Sequence, residues 1–266
     1  MPLELHAVDS GAPTSDGEST RLPLLIVHGL MGSVDNWRSH IKQWQVERRV
    51  VAVDLRNHGR SPHVSGMHYD DMAHDVLAVL DRLEIGRCHV LGHSMGGKVA
   101  MTLARRHPER VASLMVADIA PVTYQHGHDT VFAAMRHVEN HAPTDRRGVD
   151  RLMADFITEK ATRLFLATNL VRDDEGVMRW RIGLDEIETD YDNIRIGPGG
   201  DGHYLGPSLL LRGVQSDYAS DEMLPQVREV MPHVQVVTLD AGHWLHAEQP
   251  EAFQAAVNDF LAAIEA

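Results

Sequence analysis

The stretch that decides the fold is CHVLGHSMGGKVAMTLARR, residues 88–106. Residues 88–91 form a short, largely apolar run of the kind found in a strand buried on both faces. Residues 95–106 read as a helix that Pro108 ends. Between the two, Gly92-His93-Ser94-Met95-Gly96 has G-x-S-x-G spacing in the strand–turn–helix context that gives the motif its meaning. A serine on so sharp a turn sits in strained backbone with its hydroxyl raised above the sheet. Flanking glycines let strand and helix approach closely. The helix N-terminus aims free N–H groups at any negative charge that develops there.

The same alternation extends on both sides. Apolar runs at residues 22–28, 49–55 and 111–117 predict further buried strands, with an edge strand at 3–8 and a polar turn at 11–20. Helices are predicted at 34–44 and 69–83. In the second, Met72, Val76, Leu77, Leu80 and Leu83 share one face, and Asp70 and Asp71 suit its N-terminus. Strand and helix in regular succession mean a parallel sheet covered on both faces. The rhythm breaks at residues 121–206, which hold helical pieces and a glycine-rich stretch at 197–202 but no convincing buried strand. It resumes with a strand at 208–212, a helix around 222–230, a strand at 234–239 and a helix at 251–264. The expected architecture is an α/β core of residues 1–120 and 207–266. A helical cap of residues 121–206 is inserted over the strands' C-terminal edge, where such sheets bind ligands.

Three other segments complete the chemistry. In His28-Gly29-Leu30, just after the first buried strand, the N–H of Leu30 can join that of Met95 as an oxyanion hole. A serine hydroxyl needs a base within hydrogen-bond reach, and His243, on the loop after the last strand, stands late in the order serine, acid, histidine. His246 reads as a packing or surface residue. Two carboxylates compete for the role of acid. Asp118 ends the strand at 111–117, whereas Asp217 follows the strand at 208–212, one residue beyond the usual position, which Ser216 fills. Motif fit favours Asp118 and leaves Asp217 as the alternative. Met31, Tyr124 and Trp244 are candidates for an apolar acyl pocket, with core packing an equal reading for each.

Composition excludes other classes. The 266 residues are 43% hydrophobic, enough for a substantial core. Thirty-eight acids against 25 bases give −13, and only Lys42, Lys98 and Lys160 are lysines, so binding to nucleic acid or an anionic membrane is not expected. The single Cys88 precludes an internal disulfide and a cysteine-rich zinc module. No run approaches the roughly 18 apolar residues of a spanning helix, and residues 1–10 show no secretory pattern, so a soluble, cytoplasmic protein is expected. Eighteen histidines invite a metal site. Yet His137 and His141 flank Val-Glu-Asn rather than the zincin order, and His126 and His128 have no third ligand in view, so all four read as solvated cap residues with no metal. His93 reads as a sheet-packing or site-wall residue, and residues 197–202 as a flexible cap loop.

Together HGLMGS (28–33), DLRNHGRS (54–61), GHSMGGK (92–98), DIAPV (118–122) and AGHWLHAE (241–248) resemble the α/β-hydrolase superfamily. More narrowly they resemble the YbfF-type bacterial esterases and related mitochondrial hydrolase-domain proteins. The resemblance covers nearly the whole chain, least at 121–206 and in the first twenty residues. It implies Ser94 as nucleophile, His243 as base, Asp118 as acid, and Leu30 and Met95 at the oxyanion hole. It also implies a serine carboxylesterase that hydrolyses short-chain acyl esters or thioesters under a small cap, without cofactor. The departure from the pattern is Ser216-Asp217, where an aspartate is often lacking. The same parts serve perhydrolases, C–C hydrolases and lyases, and a non-catalytic binding protein is the other class of alternative.

Overall fold

The computed structural model describes residues 2–13 and 21–266, so most of the turn expected at 11–20 lies outside it. Seven strands form the main sheet: β1 (Ala7–Asp9), β2 (Leu24–Val27), β3 (Val50–Val53), β4 (Cys88–His93), β5 (Val111–Ala117), β8 (Ser208–Gly213) and β9 (Val234–Leu239). Their order is β1-β3-β2-β4-β5-β8-β9, with β1 antiparallel to β3 and every other pair parallel. The edge strand lies a few residues later than its expected place.

Side chains alternate between the two faces of the sheet, as the strand period requires. Leu25 and Val27 face a core shared with α2 (Tyr69–Arg82) and α3 (Met95–Arg106). Leu24 and Ile26 face the opposite core, formed with α1 (Arg38–Trp44) and α11 (Pro250–Glu265). Each such aliphatic side chain removed from water contributes about 1.5–3 kcal/mol. The helix expected at 34–44 begins as a 3₁₀ turn, Val34–Trp37, before α1. The helix expected around 222–230 likewise has a 3₁₀ turn, Asp221–Met223, ahead of α9 (Leu224–Val230).

Between β5 and β8 the chain forms α4 (Asp129–His141), α5 (Arg146–Ala154), α6 (Lys160–Leu166), α7 (Leu184–Thr189) and α8 (Tyr191–Arg195). It also forms an antiparallel hairpin, β6 (Leu170–Arg172) with β7 (Met178–Trp180), which corrects the all-helical expectation. Two three-residue strands are too short to show an alternation in sequence. The insertion is tied to the loops after β2 and β3. Gly183 N–H donates to the Asn57 carbonyl at 2.9 Å, Gly66 N–H to Asp190 Oδ2 at 2.6 Å, and Arg181 pairs with Asp35 at 3.1 Å. Residues 199–202 are held rather than loose: Arg105 donates to the carbonyls of Gly199 and Gly202, each at 2.9 Å. A short helix, α10 (Leu245–Glu248), follows β9. Among the described residues, no helix is long and apolar enough to cross a membrane.

Candidate active site

The turn from β4 to α3 places Ser94 at φ 53°, ψ −122°, a conformation that L residues rarely adopt. Two close approaches force it. A Cβ on Gly92 would stand 2.2 Å from the Gly96 carbonyl oxygen, and one on Gly96 would stand 2.3 Å from that of His28. Helix and strands therefore meet with no room for a side chain. The Ser94 N–H donates to the Ala117 carbonyl at 2.9 Å, tying the turn to β5.

Above Ser94 lies His243, on the loop between β9 and α10. Its Nε2 is 3.0 Å from Ser94 Oγ, and its Nδ1 is 2.7 Å from Asp118 Oδ2. Asp118 directly follows β5 at φ 53° and is wholly buried. Its other oxygen accepts the Gly213 N–H at 2.9 Å, and Oδ2 also accepts the Ser216 hydroxyl. Of the two candidate carboxylates, then, it is Asp118 that meets His243. Asp217 is exposed, faces the larger cavity and makes no hydrogen bond or ion pair among the described residues. Ser216, at the usual place of the acid, serves the carboxylate that arrives from the neighbouring strand.

Other histidines hold this loop. His93 Nε2–H donates to the His243 carbonyl at 2.8 Å, and burial together with its neighbour His243 pushes its pKa down to about 3, so the ring stays neutral. His40 Nε2–H donates to the His246 carbonyl at 2.9 Å, and the buried His246 ring stacks on Trp37 at 4.5 Å. His246 is thus a packing residue and not a surface one.

Leu30 and Met95 both line the cavity beside Ser94, and among the described residues neither N–H has a protein acceptor. The residue after Leu30 is fixed from two directions. Met31, at φ 59°, donates its N–H to His58 Nε2 at 3.1 Å and accepts Asn169 Nδ2–H at 2.7 Å. Burial and the adjacent His28 push His58 down to about 3, so Nε2 remains an acceptor.

Two cavities open at Ser94. The larger, about 610 Å³, is lined by Tyr69, Lys98, Tyr124 and Tyr191 among others. The smaller, about 230 Å³, is lined by Met31, Val131, Phe165, Leu166 and Trp244. The three residues singled out for a pocket therefore line cavities, Tyr124 the larger, Met31 and Trp244 the smaller. Lys98 is buried below the larger one. Its ammonium donates to the carbonyls of Val122 (2.8 Å), Arg195 (3.1 Å) and Ile196, which joins the start of the insertion and the end of α8 to α3. Burial pushes its pKa down to about 7.

One histidine departs from its expectation. His128 is half-buried rather than solvated: it lines both cavities and bonds Tyr191. Its partner lies 63 residues further along the chain, a separation at which sequence spacing carries no signal. His126 is exposed as expected. The His137 and His141 rings meet at a tilt with centroids 4.1 Å apart, and His141 Nδ1–H donates to the His137 carbonyl at 2.8 Å. Among the described residues, no group of three or more His, Cys, Asp or Glu side chains is placed to hold a metal ion.

Comparison with known proteins agrees with this architecture. The family described as "alpha/beta hydrolase fold" matches residues 23–250. The chain belongs to that family. It is 38% identical over 255 residues to the Danio rerio protein named sn-1-specific diacylglycerol lipase ABHD11, covering 92% of this chain and 80% of that one. It is 33% identical over 255 residues to Esterase YbfF of Escherichia coli (strain K12), covering 94% and 97%. A solved structure described as "Marine microorganism esterase" superposes with a TM-score of 0.89 at 36% identity, covering 97% of this chain and 99% of that one. These hydrolase-fold relatives match along most of their own length.

Proposed function

We propose that the protein is a serine carboxylic ester hydrolase. The observation that carries the reading is the unbroken line Ser94 Oγ, His243, Asp118, with distances of 3.0 and 2.7 Å, beside two N–H groups with no protein acceptor among the described residues. The family and its esterase-named and lipase-named relatives support the same chemistry.

In this reading His243 Nε2 takes the Ser94 proton as Oγ attacks the acyl carbon. The carbonyl π pair moves to oxygen, and the N–H groups of Leu30 and Met95 stabilise the anion. Asp118 holds the imidazolium and fixes its orientation. Collapse of the intermediate breaks the bond to the alcohol oxygen, which leaves with the proton from Nε2. Water, deprotonated by the same nitrogen, then hydrolyses the acyl-enzyme and restores Ser94. A thioester develops its negative charge on the same oxygen, so it enters the same cycle. No step calls for a metal or cofactor. The smaller cavity suits a short apolar group, and the insertion serves as a cap of residues 121–206 on a core of 1–120 and 207–266.

Replacing Ser94 with Ala tests the reading. Turnover of p-nitrophenyl butyrate is expected to fall by at least about 10⁴-fold with folding intact. Turnover retained within about tenfold would refute it.

A further inference from the structure

His128 is a half-buried polar group at the centre of the site that the mechanism does not use. Leu30, Ser94, Gly127, His128 and Tyr218 line both cavities, so His128 stands at the junction where a bound ester is cleaved. Its tautomer follows from its partner. Tyr191 is buried at 4% exposure, and its hydroxyl meets the Gly127 N–H, which can only donate, and His128 Nδ1, which can accept. A buried phenol donates its proton where an acceptor is present. Nδ1 is therefore the acceptor, and Nε2, the opposite ring nitrogen, carries hydrogen. Among the described residues no protein group accepts from Nε2. Burial and the nearby His243 push His128 down to about 4, so its ring is neutral at neutral pH. A neutral imidazole held by Nδ1 offers one directed donor and no charge.

The wall of the smaller cavity is mostly apolar. Val131, Phe165, Leu166, Met31 and Trp244 supply most of it, with hydroxyls from Thr162 and Tyr218, and a donor held in such surroundings is matched by an acceptor on the ligand. His243, which returns the proton to the departing oxygen, lines this cavity, so the alcohol portion of an ester begins in it. The acyl portion then extends into the larger cavity, and His128 borders that as well.

We propose that His128 Nε2–H binds an oxygen acceptor on the substrate and selects esters carrying an ether, hydroxyl or second carbonyl oxygen within a few bonds of the scissile group. His128 is then a specificity residue that touches substrate, with Tyr191 the positioning residue that fixes its tautomer. The inference rests on the reading of Ser94 as nucleophile. It extends that reading to a substrate class that a purely apolar pocket would not prefer.

Matched esters in which one CH₂ is exchanged for O test it. On the alcohol side the pair is 2-methoxyethyl butyrate and butyl butyrate. On the acyl side it is p-nitrophenyl methoxyacetate and p-nitrophenyl butyrate. For each pair, the kcat/KM ratio of ether to methylene ester is measured in the wild type and in His128→Phe. Dividing the two ratios cancels the intrinsic reactivity of the ether ester. In at least one arm the wild-type preference is expected to be about three- to tenfold greater, the size of one hydrogen bond. That arm tells whether the oxygen lies on the alcohol or the acyl side. Tyr191→Phe is expected to lose part of the same preference, because Nδ1 no longer has a donor to hold the tautomer. It carries the test alone if His128→Phe does not fold. Ratios unchanged in both arms, with turnover still abolished in Ser94→Ala, overturn this proposal alone. Turnover that survives Ser94→Ala overturns the reading beneath it.

Discussion

Asp118→Asn probes the site most sharply, because the hydrogen-bond inventory dictates its outcome. The Asp118 carboxylate accepts from three donors: His243 Nδ1–H at 2.7 Å, Gly213 N–H at 2.9 Å and the Ser216 hydroxyl. Asparagine supplies one oxygen and one NH₂. The Gly213 N–H cannot change its role, so the oxygen must stay there, and the NH₂ takes the place of Oδ2. Ser216 adapts by rotating its hydroxyl. His243 adapts only by moving its proton to Nε2 so that Nδ1 can accept. Nε2–H then faces Ser94 Oγ from 3.0 Å and cannot take its proton. In a serine protease the corresponding wrong tautomer lowers kcat by about 10⁴, or about 5 kcal/mol at 1.36 kcal/mol per decade. A loss of that order is expected here. The assay is kcat for p-nitrophenyl butyrate, with calorimetric Tm as the control for folding. Asp217→Asn, which alters an exposed carboxylate with no hydrogen bond to His243, is expected to stay within about twofold. Asp118→Asn retaining activity within about tenfold, or Asp217→Asn falling as far, would refute the reasoning.

Two further outcomes follow from the groups that join the insertion to the core. Lys98 titrates near 7 in the folded protein against an unfolded value near 10.4, so the folded state binds fewer protons between those limits. The contribution is complete above the unfolded value and is lost as pH falls through 7. The stability of the wild type relative to Lys98→Met is therefore expected to rise between pH 7 and 10, by up to about 1.4 kcal/mol per pH unit. Urea melts at pH 6, 8 and 10 check this, and a gap independent of pH counts against it. Asn169→Ala frees the Met31 carbonyl and with it the Leu30 turn, so kcat for p-nitrophenyl butyrate is expected to fall about 10-fold or more while KM changes little. A loss confined to KM, or to Tm alone, would show that Asn169 serves binding or folding rather than the oxyanion site.

The parts of the molecule legible in sequence are those set by local rules. The runs that became β2, β3, β4 and β5 are apolar because both faces of a parallel sheet are covered, and the Ser94 turn needs glycines within two residues of itself. What sequence left open depended on reach through space. Asp118 and Asp217 are both carboxylates near strand ends. The choice between them turns on Asp118 emerging beside Gly213, the last residue of the adjoining strand, and Ser216 in the turn after it, which spacing along the chain does not encode. In sequence His128 is one more polar residue in a glycine- and histidine-rich turn, because Tyr191, whose hydroxyl orients it, comes from α8. The β6–β7 hairpin was illegible for a simpler reason: its strands are shorter than one full alternation.

The central claim is that Ser94 is a nucleophile activated by His243. A fluorophosphonate reacts covalently with such a serine and leaves unactivated hydroxyls alone. Trypsin releases residues 88–98 as one peptide in which Ser94 is the sole serine, so the site of reaction can be read by mass. One label per chain is expected, carried on that peptide, and none in Ser94→Ala. A folded wild-type protein that takes no label, or takes it on another peptide, would contradict it.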